Sequence, residues 1–174
     1  MKVFKEKQGF TQLWIIVLIT VSTLVPLFII GNEYLKADTK VSSFEVYLTI
    51  GLTVFVASLI FLFKLSTRID EKGIYYQFFP FHLRLKTIPW TSIEKAHVRK
   101  YNAISEYGGW GLRGGFFWKK SKGKAINVSG NVGIQLELKN GKKLLIGTNQ
   151  EEQAKQVLQH YHSKIKANYH ENEN

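Results

Sequence analysis

The chain has 174 residues, with 24 Lys and Arg against 13 Asp and Glu for a formal charge of +11, and no cysteine. The absence of thiols excludes disulfides, iron–sulfur clusters, thiolate zinc sites and cysteine nucleophiles, and fits a domain in a reducing compartment. The length suggests one modest domain plus something else, and the apolar residues, concentrated near the N-terminus, say what that is.

Residues 1–9, "MKVFKEKQG", form a basic segment with Lys2, Lys5 and Lys7. From Phe10 to Ile30, "FTQLWIIVLITVSTLVPLFII", no residue is charged. As a helix this run extends roughly 30 Å, the thickness of a hydrocarbon core. Pro26 is acceptable inside a bilayer helix when neighbouring groups take up the freed carbonyl, and Trp14 suits an interfacial belt. A cleaved signal peptide is the alternative, but the apolar stretch is long for one and no small-x-small site follows it. Residues 31–45 then form a predicted external loop, and Val46–Phe63, "VYLTIGLTVFVASLIFLF", is a second predicted span with Lys64 positioned to snorkel. Cations flank both runs on the outside (Lys2, Lys5 and Lys7 before, Lys64, Arg68 and Lys72 after), whereas the connecting loop holds two Lys against Glu33, Asp38 and Glu45. The positive-inside rule therefore predicts a multi-pass protein of the cell (inner) membrane with both termini cytoplasmic.

Residues 64–169 form the predicted soluble domain and 170–174 a frayed tail. "GIYYQFF" (73–79) and "HLRLKTI" (82–88) read as strands, the second alternating Leu83 and Leu85 with Arg84 and Lys86. "SIEKAHVRKY" (92–101) is a less regular strand. "GIQLELKNGKKLLIG" (133–147) predicts a hairpin, with Asn140-Gly141 as a two-residue type I′ turn. Beyond it Thr148 and Glu151 have capping-box spacing, and Ala154, Val157, Leu158, Tyr161 and Ile165 share one helical face. The expected fold is a two-helix transmembrane hairpin joined to a mainly-β domain of antiparallel strands, closed by one C-terminal helix that hides a sheet edge.

Within "EYGGWGLRGGFF" (106–117), Gly109–Gly114 matches G-x-G-x-x-G. A dinucleotide fingerprint needs a following helix and an acid about twenty residues on, and a P-loop needs a terminal Gly-Lys-Ser/Thr. Neither context is present. The glycines instead predict a tight irregular turn packed by Tyr107, Trp110, Phe116, Phe117 and Trp118, with contact to a ligand or the bilayer interface as the alternative.

Residues 90–150, with Trp90, "EYGGWGLRG" and "AINVSGNVGIQLELKNGKKLLIGTNQ" ahead of a closing helix, resemble the bacterial membrane-anchored PH-like (pleckstrin-homology-type) proteins. The resemblance implies a small antiparallel barrel of about seven strands capped by a C-terminal helix, attached to one or two spans. It implies little about activity, since fold does not fix function. Arg84 and Lys86 lie on one face of the second strand, but "GIYYQFFPF" supplies no cation opposite them. The inositol-lipid site of eukaryotic PH domains is thus half missing.

From Lys64 onward there are 19 Lys and Arg against 9 Asp and Glu, so a domain tethered beside an anionic leaflet is drawn to it, at about 1 kcal/mol per well-placed cation. The candidate lipid or partner contacts are Arg84, Lys86, Trp110, Arg113, Phe116, Phe117, Trp118, Lys119, Lys120, Lys122 and Lys124. The 116–124 part reads equally as a solvated lysine loop with buried aromatics. Expected partners are anionic membrane lipids and another membrane protein or a second copy of this chain, without nucleic acid, since no RRM, KH or helix-turn-helix pattern accompanies the basic surface. His160 and His162, two apart, do not share a helical face as metal ligands, Asp70-Glu71 reads as a turn, and Ser121 and Ser129 have no identifiable base. The expectation is a binding module, without enzyme activity, cofactor or metal. It serves as a protein-interaction platform or, alternatively, recognises anionic headgroups.

Overall fold

A computed structural model describes residues 2–36, 42–114 and 123–165. The chain divides into two units, Phe10–Leu62 and a second formed by Met1–Gly9 together with Phe63–Asn174.

The first unit is a pair of helices, α1 (Leu13–Tyr34) and α2 (Ser43–Ser58), the latter continued by a 3-10 turn over Leu59–Leu62. Their mean hydropathies, 2.7 for α1 and 2.0 for Ser43–Leu62, and their lengths suffice to cross a membrane. Apolar side chains point outward all round both helices, and only Ile15 of α1 and Val46 of α2 are buried. A helix apolar on every side suits a protein core or a hydrocarbon bilayer. The Ser22 and Thr23 hydroxyls donate to the Ile19 carbonyl, which hides them within a turn of Pro26. At the start of α2, Ser42 and Glu45 form a reciprocal capping box, so the second helix begins three residues before the predicted span.

The second unit contains all the strands. The first sheet has the order β1 (Phe4–Gly9), β2 (Lys64–Asp70), β3 (Gly73–Phe79) and β4 (Lys86–Pro89), antiparallel throughout. The second has the order β5 (Ile93–Lys100), β8 (Val132–Leu138), β9 (Lys143–Gly147), β7 (Lys124–Asn127) and β6 (Gly111–Arg113). Its pairs are antiparallel except β7–β9, which is parallel. A short helix, α3 (Ala103–Tyr107), joins β5 to β6, and α4 (Glu151–His160) follows β9.

The coarse expectation of apolar helices, antiparallel sheets and a C-terminal helix holds. Two details differ. There are nine strands among the described residues where about seven were expected, and neither sheet closes on itself into a barrel. One added strand is β1, drawn from the basic segment ahead of the first span. Its sequence carries one apolar residue, so nothing in it announces a strand.

The core is built from Leu65, Ile69, Ile74 and Phe78 of the first sheet and Ile93, Ile134, Leu136 and Ile146 of the second. Ala154, Val157, Leu158, Tyr161 and Ile165 of the closing helical segment are all buried, as their spacing predicts, and α4 lies against β5, β8 and β1. The Trp90 indole stacks obliquely on Tyr161 and donates to the Asp70 carbonyl at 2.9 Å.

Two turns differ from expectation. In the β8–β9 hairpin the Leu138 amide bonds to the Lys142 carbonyl, closing a three-residue loop, and Gly141 alone has positive φ, at 74°. Asn140 therefore does not adopt the type I′ conformation; its side chain accepts from the Lys142 amide instead. The Thr148–Glu151 capping box does not form either. The N-cap is Gln150, and the Thr148 hydroxyl is turned to the Glu6 carboxylate, a charged acceptor that outcompetes a cap.

Candidate functional site

The polar segment Phe4–Gly9 folds as a strand because its alternate side chains meet partners rather than grease. Phe4, Glu6 and Gln8 face inward while Lys5 and Lys7 face solvent. The Glu6 carboxylate accepts from the Thr148 hydroxyl at 2.6 Å and the Asn149 amide at 2.8 Å. Gln8 donates to the Gly147 carbonyl at 2.9 Å and accepts from Ser129, which in turn bonds Asn149. The Tyr161 hydroxyl donates to the Lys2 carbonyl. In register, Gly9 lies opposite Lys64, so residues 10–63 leave and re-enter one sheet at adjacent positions.

The segment between β3 and β4 carries the first candidate cations. Arg84 and Lys86 are exposed, but the strand expected over 82–88 is confined to Lys86–Pro89. The Leu83–Leu85 alternation does not mark a buried face, because both leucines point outward. Backbone and ring contacts hold His82 at the centre of this loop. Its amide donates to the Phe78 carbonyl, its Nδ1 accepts from the Phe78 amide at 3.2 Å, and its carbonyl accepts from Gln77. Burial, and secondarily the Lys86 charge, lower its pKa from the ordinary value.

The second group of candidates lies on the other sheet. Asn102 caps α3 by accepting from the Ile104 and Ser105 amides, and Gly108, left-handed at φ 75°, ends it after five residues. The glycine run then passes directly into β6, so Gly109–Gly114 joins a helix end to a strand, the reverse of the order a dinucleotide fingerprint requires. A side chain at Gly114 would meet the Gly123 carbonyl at 2.5 Å. Tyr107 is buried with Tyr101, Ala103, Ala125 and Leu145, and Trp110 packs against that cluster. Asn127, fully buried, ties the layers together by donating to the Tyr101 hydroxyl at 2.9 Å and accepting from the Gly111 amide at 3.0 Å. Burial pushes the Tyr101 phenol up to about 12. Arg99 forks onto both Glu106 oxygens and also reaches Tyr107 and Gln135. All of this braces the outer face of the second sheet.

Of the predicted contacts here, Trp110 is thus a packing residue, Arg113 folds back to donate to the Trp110 carbonyl, and Lys124 is exposed at the start of β7. Phe116, Phe117, Trp118, Lys119, Lys120 and Lys122 lie outside the described residues. Arg84 therefore lies in the β3–β4 loop and Lys86 at the start of β4 in the first sheet, whereas Arg113 and Lys124 belong to the second. Among the described residues no group of three His, Asp or Glu side chains is arranged to hold a metal ion. A shallow groove of about 180 Å³ runs between β1, an edge strand, and α4, lined by Lys2, Val3, Phe4, Gln153, Gln156 and Val157. Sequence reasoning missed Glu6 and Gln8, whose only signal was alternation without apolar content. It also missed the outward leucines, signalled by an apolar run too short for a span and too greasy for an ordinary loop.

Neither family models, curated proteins nor solved structures match this chain.

Proposed function

We propose that this chain is a non-catalytic integral membrane protein that presents a basic, PH-like binding module at the cytoplasmic face of the membrane as a protein-interaction platform. The observation that carries the reading is the β1–β2 ladder. Because Gly9 pairs with Lys64, the two apolar helices are an insertion within a β-hairpin. Both ends of that insertion belong to one sheet, which supports a chain that crosses the bilayer at α1 and returns at α2 with both termini on one side. The cations flanking the insertion favour the cytoplasm for that side.

The edge of β1 and the groove beside α4 are the features best suited to a partner. An extended segment added to β1 would gain main-chain hydrogen bonds and set side chains into the groove. Exposed Lys5 and Lys7 favour an acidic one. The test uses the full chain in native membranes. Cysteine introduced at Asp38 is expected to react with an impermeant maleimide from outside, and cysteine at Asn140 only after permeabilisation; the opposite pattern overturns the orientation. A photo-crosslinker at Val3 is expected to capture a discrete membrane partner or a second copy, whereas a crosslinker at Asn140 is not.

The alternative, recognition of anionic headgroups, is favoured by the exposed Arg84 and Lys86 beside apolar side chains. It predicts membrane association that weakens with salt.

A further inference from the structure

The β3–β4 loop exposes apolar side chains although hydrogen bonds hold the loop at His82. Leu83 is 78% exposed, Phe81 62% and Leu85 49%. Such exposure is unremarkable in a loose loop, but this one is fixed. His82 bonds both the amide and the carbonyl of Phe78, Gln77 bonds the His82 carbonyl, and Tyr76 meets the His82 ring edge-on. The Phe81 ring stacks on buried Phe78, with centroids 5.8 Å apart and planes 14° apart. The loop is thus a rigid projection with a greasy tip, and a protein facing only water gains nothing by holding it so.

Its position supplies the reason. The Phe81 ring also lies 5.9 Å from that of Phe63, and Phe79 pairs in register with Lys64. Phe63 is the residue directly after Leu62, where the second apolar helix ends. The loop is therefore tied to the point at which the chain leaves the apolar segment. Arg84 and Lys86 follow in the same stretch of chain, Lys64 stands opposite Phe79 in register, and all three are exposed, which suits a segment whose apolar side chains enter the acyl boundary while long basic side chains reach back to phosphates.

We infer that the β3–β4 loop is a bilayer-interface wedge, inserting Phe81, Leu83 and Leu85 into the headgroup–acyl boundary of the leaflet from which the chain emerges. This rests on the reading of α1 and α2 as spans. It deepens that reading by naming which face of the β domain meets lipid and by giving Arg84 and Lys86 a phosphate-facing role.

The chain has no cysteine, so single-cysteine variants of the full-length protein carry one spin label each. In vesicles of phosphatidylglycerol and phosphatidylethanolamine, labels at Leu83→Cys, Leu52→Cys in α2 and Asn140→Cys in the β8–β9 loop are compared. Collision with oxygen, enriched in lipid, is measured against collision with an aqueous nickel chelate. The Leu83 label is expected to favour oxygen, its chelate collisions several-fold fewer than at Asn140 and its depth shallower than at Leu52. If Leu83 meets the chelate as freely as Asn140 while Leu52 is protected, the wedge is wrong and the spans stand. A Leu52 label open to the chelate overturns both. A Leu83 label screened from oxygen and chelate alike means that protein covers the loop, which also overturns the wedge.

Discussion

At Glu6 a carboxylate with only 6% of its residue surface exposed accepts hydrogen bonds from two donors far along the chain, the Thr148 hydroxyl and the Asn149 amide. Removing it leaves the buried Thr148 hydroxyl without its acceptor, and that desolvation cost is about 1–3 kcal/mol. Glu6→Ala is accordingly expected to destabilise the β domain by about that amount in urea unfolding, whereas Lys7→Ala, on the solvent face of the same strand, is expected to stay within about 0.5 kcal/mol. Asn127 makes a second case from the opposite layer. Its side chain satisfies one donor and one acceptor inside a fully buried site, and the Gly147 backbone leaves no slack, since a Cβ there would sit 2.9 Å from that of Asn127. Asn127→Ala is expected to lose about 1–3 kcal/mol, read by the same unfolding curve, because the Gly111 amide and Tyr101 hydroxyl both lose a partner. Equal stability of either variant with the parent would show that water replaces the lost partner.

β3 was legible from its aromatic and branched residues, the β8–β9 pair from alternation around a glycine turn, and α4 from a single apolar face, whereas β2, paired with β3, was not anticipated. β5 looked irregular for a concrete reason: its register slips between Ile93 and Lys95, so Ile93 and Ala96 do not obey one alternation. The parallel β7–β9 pairing depends on contacts that no local pattern encodes. β1 was illegible because two of its three inward residues are Glu6 and Gln8, and inward-facing polar residues are recognisable only once their partners are placed. The β3–β4 loop failed in the opposite sense. Alternation there suggested a buried face, yet the sequence rule assumes water outside, and the wedge proposed above removes that assumption. For the same loop a pH effect follows from His82. Its Nδ1 must be unprotonated to accept from Phe78, and its pKa is lowered, first by burial and then by Lys86. The unfolded chain takes up the proton at the ordinary value of about 6.5, before the folded chain does. Stability contributed by His82 is therefore complete above that value and declines as pH falls through it towards the lowered folded value. An NMR titration is expected to find His82 titrating below the ordinary value of about 6.5; a midpoint at or above it would contradict the bond.

On the scale of the whole molecule, a β domain split in sequence by two apolar helices makes a demand that a simple tail-anchored domain does not. If residues 64–174 folded alone, β1 would be dispensable. In the structure it is not, for it covers the free side of β2 through a six-residue ladder, carries Glu6 and Gln8 into the polar cluster, and gives Tyr161 its acceptor at Lys2. The register suggests a direct manipulation: Gly9 and Lys64 already stand opposite each other across an antiparallel pair, so a two-residue Asn-Gly joint in place of residues 10–63 closes an ordinary hairpin. The joined protein is expected to be monomeric, to unfold cooperatively and to give a dispersed amide spectrum. The fragment 64–174 is expected to aggregate or to lack tertiary structure, because β2 then exposes an unpaired edge beside Leu65 and Ile69. If the fragment equals the joined protein in stability, β1 is an accessory and the insertion argument fails. The joined protein would then also separate tether from affinity. Without α1 and α2, any flotation with anionic vesicles reports the domain's own surface, and loss of that flotation in Leu83→Ser, with melting unchanged, would trace it to the loop rather than to net charge.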